Sequence, residues 1–185
     1  MKITNTEVNG MQSAIRASGY PMMRDDLSYD RMARLGKCSP GAGHDCALKG
    51  IVVQADVQAS QAWWLQFQRY HFADIVSSES KMHKIMEMDI GEQCNQYVEP
   101  EAIRTLERLI EEYKNEGYDM ARKELFQRVV ANTPMGLMLK ARITTNYLQL
   151  KTIYLQRKNH KLEEWTTFCD WILSLPHFIH FTEVE

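Results

Sequence analysis

Long apolar runs, paired cysteines and a charge of one sign are all missing from this chain of 185 residues. No stretch approaches the ~20 consecutive apolar residues that a membrane-spanning helix needs. The opening Met1-Lys2-Ile3-Thr4-Asn5-Thr6 has no basic-then-apolar leader pattern. Cys38, Cys46, Cys94 and Cys169 are scattered with no Cys-x-x-Cys spacing, which points to reduced thiols and a cytoplasmic setting rather than a disulfide framework. The formal net charge is −2, so no global basic field draws in duplex nucleic acid. Repeats, low-complexity tracts and long linkers are lacking as well. Nothing marks a boundary within 1–185, and a single domain is expected.

Familiar reaction signatures are also absent. There is no Gly-x-Ser-x-Gly elbow for a serine hydrolase, and Gly41-Ala42-Gly43 is not followed by the Gly-Lys-Ser/Thr of a phosphate-cradling loop. His177 and His180 stand three apart, but no Cys, Asp or Glu repeats near them at ligand spacing. A packed aromatic tail accounts for them better than a metal site, and none is expected.

What is present reads as a helix-rich α/β (α+β mixed) domain with a small central sheet. Asp25 to Leu35 has helical apolar spacing, and turn residues cluster over Lys37-Cys38-Ser39-Pro40-Gly41-Ala42-Gly43-His44. Gly50 to Val57 is short and β-branched, as a strand is. Ser60 fits the N-cap of a helix carrying Trp63, Trp64, Phe67 and Tyr70 at helical spacing, and the four tryptophans Trp63, Trp64, Trp165 and Trp171 are expected to pack inward. Phe72 to Val76 suits an extended segment and Ser80 to Met88 a helix. Glu101 to Tyr113 is the clearest amphipathic helix, stopped by Gly117, and Met120 to Val130 supplies another. Gly136 to Thr145 reads as either a short strand or an irregular connection. Asn146 to Gln156 and Glu163 to Leu175 read as helices.

Two polar blocks carry the chemistry. In the run from Gln66 to Lys84, a helix delivers Arg69 and His71. A turn then presents Ser77, Ser78 and Ser80 with Lys81 and Lys84. Hydroxyls, free backbone N–H groups and cations at a helix start suit a phosphate; the plainer account is an N-cap with solvated lysines. The second block, Gln156 to Lys161, is a solvated turn on the plain reading, yet Arg157 has the planar fork that grips a phosphate or a base edge.

In order and spacing these blocks resemble the flavin-dependent thymidylate synthases. Ala14-Ile15-Arg16-Ala17-Ser18 loosely matches that family's early Ala-Arg-Ser segment, and His44 lies 25 residues before Arg69 as its Gly-His element precedes Arg-His-Arg. Arg69-Tyr70-His71 stands for Arg-His-Arg, and Ser77 to His83 for the serine segment that follows, with Ser80 as its serine after a one-residue length change. Gly117, Ala121-Arg122 and Gln127-Arg128-Val129-Val130 resemble a later Gly…Ala-Arg region. Asn146 and Arg157, 11 residues apart, match the ends of an Asn-x-Arg…Leu-Arg element.

The resemblance implies a homotetramer that holds FAD and dUMP between subunits and transfers a one-carbon unit from a folate to C5 of the pyrimidine, with NADPH as reductant. His44, Arg69, His71 and Asn146 would contact flavin. Gln66, Ser78, Ser80, Lys81 and Arg157 would hold the nucleotide, with Arg157 and Ser80 as the catalytic pair. The departures fall on these same shells. Tyr70 replaces the motif's histidine and His71 its second arginine, exchanging a permanent cation for a side chain with an ordinary pKa of about 6.5. Met82 stands where a phosphate-binding arginine is expected, beside Lys81. Two other readings stay open: a nucleotide-binding protein without flavin chemistry, and a helical protein that associates through its tryptophan-rich faces.

Overall fold

A computed structural model of the chain describes residues 1–39 and 41–184. Pro40, within the predicted turn-rich loop, and Glu185 lie outside the described residues. The elements in order are β1 (Lys2–Asn9), α1 (Met11–Ala17), α2 (Tyr29–Gly36), a 3-10 turn over His44–Gly50, β2 (Val52–Ser60), α3 (Gln61–Phe67), β3 (Asp74–Ser78), α4 (Lys81–Lys84) and α5 (Ile90–Gln93). Then come α6 (Pro100–Asn115), α7 (Asp119–Ala131), β4 (Met138–Asn146), α8 (Tyr147–Arg157), α9 (Glu163–Leu173) and α10 (Phe178–Thr182).

The four strands form one sheet in the order β1-β2-β4-β3, and every neighbouring pair is antiparallel. The mixed class is therefore of the α+β kind. Alternation along β2 and β4 gives the sheet two unlike faces. Val53, Ala55, Val57 and Ala59 are buried on one side with Ala141, Ile143 and Thr145. On the other side Asp56 lies directly opposite Arg142, and the two pair at 3.2 Å. Asn5, left-handed at φ 50 in the bulge of β1, donates to Asp56 at 2.7 Å, so the Asp56 carboxyl is held below its ordinary pKa, by Asn5 first and Arg142 next.

The buried face carries the main core, which α3, α8, α9 and α10 close. Trp63 stacks on Phe67 with ring centres 4.8 Å apart and meets Trp165 at 4.9 Å and Phe168 at 5.2 Å. Trp64 is buried too and donates from Nε1 to the Leu139 carbonyl. A separate small core lies under α6 and α7: Ile85, Ile90, Leu106, Leu109, Ile110 and Val129.

Several boundaries differ from the sequence reading. Leu27 is exposed and outside α2, which begins only after Ser28, whose hydroxyl accepts from the Arg31 N–H. The extended segment begins at Asp74 rather than Phe72, because Phe72 is left-handed at φ 59. Of the two readings for Gly136 to Thr145, the strand is found, nine residues long in the middle of the sheet. α6 ends at Asn115, ahead of Gly117, when Glu116 turns extended. Among the described residues no helix is long and apolar enough to cross a membrane.

Candidate functional site

The end of α8 and the end of α3 come together around Arg157. Its Nε donates to the Tyr70 hydroxyl at 2.7 Å and its Nη1 to Gln66 Oε1 at 3.3 Å. Trp165, in the first turn of α9, donates from Nε1 to the same Gln66 oxygen at 2.8 Å. The guanidinium carbon stands 4.7 Å from the centre of the Trp165 ring and 5.5 Å from that of Tyr70. Two of the residues expected to hold a nucleotide, Gln66 and Arg157, are thus in contact across 91 residues of sequence. Nη2 of Arg157 and the Gln66 amide nitrogen have no hydrogen-bond partner among the described residues, so both can donate outward.

His160 borders this cluster. Its Nδ1 accepts from the Leu162 N–H at 3.1 Å, which fixes the neutral ring with its proton on Nε2. Burial first, and the charge of Arg157 second, lower its pKa.

The serine block has a different arrangement from the plain capping account. Ser80 occupies the N-cap position of α4, yet its hydroxyl bonds the His83 ring at 3.0 Å rather than a backbone N–H. Glu79 is fastened to β4: its N–H donates to the Lys140 carbonyl and its carboxylate accepts from the Lys140 N–H. Lys81 reaches Gln61 Oε1 at 2.7 Å. Ser78 and Lys81 line a groove of about 320 Å³ with Trp64, Ile75 and Leu139, and this groove includes neither Gln66 nor Arg157.

The residues expected at the flavin are spread further. Arg69 and His71 flank Tyr70 in the exposed turn after α3, and their side chains make no hydrogen bond or ion pair among the described residues. Thr145 fixes the far end of that turn by donating to the Phe72 carbonyl at 3.0 Å. Asn146 caps α8, accepting from the Gln149 N–H at 3.0 Å. With 1.5 Å of rise per residue, that puts it about 16 Å from Arg157 along the helix. His44 is exposed at the mouth of a cleft of about 800 Å³ between α1, α2 and the 3-10 turn, with Arg24 and Arg34 beside it and Ala17, Leu35 and Ala47 on its walls.

Three participants escaped the sequence reading. Tyr70 was visible there only as a member of an aromatic stripe and as a lost histidine, and Trp165 only as core. The third is a buried pair: the Lys151 ammonium donates to Asp45 at 3.0 Å and to the carbonyls of Gly36 and Cys38 at 2.7 and 2.6 Å. A lone cation inside the apolar stripe of Leu150, Ile153 and Tyr154 was the signal that could have found it. His177 and His180 pack in an aromatic group instead, His177 stacking on Phe181 at 5.6 Å. Among the described residues no three His, Cys, Asp or Glu side chains gather as metal ligands.

No protein-family model matches the sequence, and no curated protein does. Solved structures do match over the whole length. A flavin-dependent thymidylate synthase from Helicobacter pylori, complexed with FAD and dUMP, is 14% identical and superposes with a TM-score of 0.71 over 99% of both chains. A second structure of thymidylate synthase X from Helicobacter pylori, again with FAD and dUMP, is 13% identical with a TM-score of 0.75 over 98% of this chain and 96% of that one. At such identity the likeness speaks of architecture, and on that point it is plain: this chain has the fold of the flavin-dependent thymidylate synthases.

Proposed function

We propose that this chain binds a pyrimidine nucleotide, of which dUMP is the type, and that with FAD it transfers a one-carbon unit to C5 of the base. The observation that carries the reading is the contact of Gln66 with Arg157, two residues the resemblance assigns to the nucleotide, with an outward N–H left on each. A guanidinium stays protonated throughout the physiological range. Fixed beside a uracil ring it favours negative charge on the ring carbonyls and imide nitrogen, which polarises the base for reaction at C5. Arg157 is the proposed catalytic group on that account. Ser80 and Lys81, with Ser78, would hold the phosphate, Lys81 contributing charge without the fork an arginine would bring.

The cleft at His44 fits a flavin in character, being apolar-walled with cations at its mouth. His44, Asn146, Arg69 and His71 would hold FAD. When bound and reduced it would supply hydride, with a folate as one-carbon donor and NADPH as reductant. The same reading makes the chain one cytoplasmic domain over 1–185, a homotetramer with its ligands between subunits. A second reading, nucleotide binding without flavin chemistry, is favoured by one observation: Tyr70 and His71 leave Arg69 as the single permanent cation of that turn.

The visible absorption spectrum before and after incubation with FAD separates the two. Flavin bands that persist through gel filtration are expected on the first reading, and a colourless protein that still binds dUMP supports the second. Either requires that Arg157→Ala weaken dUMP binding in calorimetry by about tenfold or more, as loss of a charge-assisted hydrogen bond does. Unchanged affinity in that variant would remove both.

A further inference from the structure

Arg157 stands in a corner made by two aromatic rings. The planes of Tyr70 and Trp165 meet at 70°, with ring centres 6.0 Å apart, and the guanidinium lies against both. The two rings bound the space in which it can tilt. The Tyr70 hydroxyl fixes its rotation by accepting from Nε at 2.7 Å. With Nη1 turned to Gln66, the nitrogen left for a ligand is Nη2.

Gln66 is fixed by the same walls. Both groups that approach its side-chain amide, the Trp165 indole N–H and Arg157 Nη1, are donors with no acceptor capacity. The atom between them must therefore be the amide oxygen, and the NH2 faces away from the cage. Trp165 thereby decides which end of Gln66 a ligand meets.

We propose that Tyr70 and Trp165 are positioning residues that set the Arg157 guanidinium and the Gln66 amide as outward donors toward a bound nucleotide. Tyr70 is on this account a working replacement for the histidine of the motif, one that reaches across to α8. The identity of the ligand rests on the nucleotide reading above; the caging of Arg157 does not.

The test uses the full chain with Tyr70→Phe, which keeps the ring and removes the hydroxyl, and Trp165→Phe, which removes the indole N–H. In the ligand-free protein the ¹H–¹⁵N signal of Arg157 Nε, assigned by its absence in Arg157→Lys, is expected to shift and broaden in Tyr70→Phe. Calorimetry with dUMP is expected to show about tenfold weaker binding in each variant, with unchanged far-ultraviolet circular dichroism. If Trp165→Phe does not fold, Tyr70→Phe carries the test alone. An unmoved Arg157 signal, or full dUMP affinity in Tyr70→Phe while Arg157→Ala has lost it, overturns the proposal and leaves the nucleotide reading standing. If the unaltered chain fails to bind dUMP, the nucleotide reading falls, and the Arg157 signal alone decides the caging: a shift in Tyr70→Phe supports it and an unmoved signal overturns it.

Discussion

Lys151 sits between Leu150 and Ile153 on the inner side of α8 and is 3% exposed, as is its partner Asp45. Three N–H donors meet three acceptors there, so the charge is fully compensated. Removing one partner strands the other. Lys151→Met is expected to cost about 3–5 kcal/mol in urea unfolding, and pairing it with Asp45→Leu to recover part of that loss, because no charge is then left buried alone. A single-variant cost near zero would mean that water reaches Asp45. His160 gives a pH-dependent counterpart. Its pKa in the folded chain lies below the ordinary 6.5, by burial and then by the charge of Arg157. The unfolded chain therefore takes up this proton first as pH falls. Stability linked to His160 is intact above about pH 6.5 and is lost as pH drops through the folded value. Urea midpoints measured from about pH 8 down to about pH 5 should fall more steeply for the unaltered chain than for His160→Asn. Parallel curves would assign the acid sensitivity to other groups.

At the level of elements, α7 and α8 differ in how they are held. α7 buries Val129 alone along its 13 residues, whereas α8 buries Tyr147, Leu150, Lys151, Ile153 and Tyr154 in 11. Local opening should therefore release α7 long before the molecule unfolds, and its amides should exchange with deuterium faster than those of α8. Equal protection in both helices would show that something further covers α7. The same contrast explains what was legible in the sequence. α3, α6, α8 and α9 were readable because each has apolar residues at helical spacing and a cap or stop at its end, such as Ser60 and Asn146. β2 was readable from its β-branched run. β1 was not, because its apolar residues Ile3 and Val8 fall on either side of the bulge that shifts its register. For the site, the family resemblance pointed to Gln66 and Arg157, which meet. It did not show that Tyr70 and Trp165 hold them, because a contact between side chains 87 residues apart leaves no periodic trace.

Across the whole molecule, the residues assigned to one reaction are dispersed. His44 lines a cleft that shares no lining residue with the groove at Ser78 and Lys81, and neither includes Arg157. Dispersal of this kind is expected when symmetric copies complete each other's sites. It leads to a complementation experiment that needs no structure of the assembly. His44→Ala chains and Arg157→Ala chains are each expected to fail in forming the joint FAD and dUMP complex. If a site takes His44 from one subunit and Arg157 from another, unfolding and refolding an equal mixture lets random assembly restore about a quarter of the sites. If both residues serve a site within one chain, every site in the mixture lacks one of them and nothing is recovered. The flavin retained through gel filtration in the presence of dUMP measures the fraction directly. Recovery near a quarter supports a site built between subunits, while none would place the two residues at one chain's own site and remove the main argument for obligate assembly.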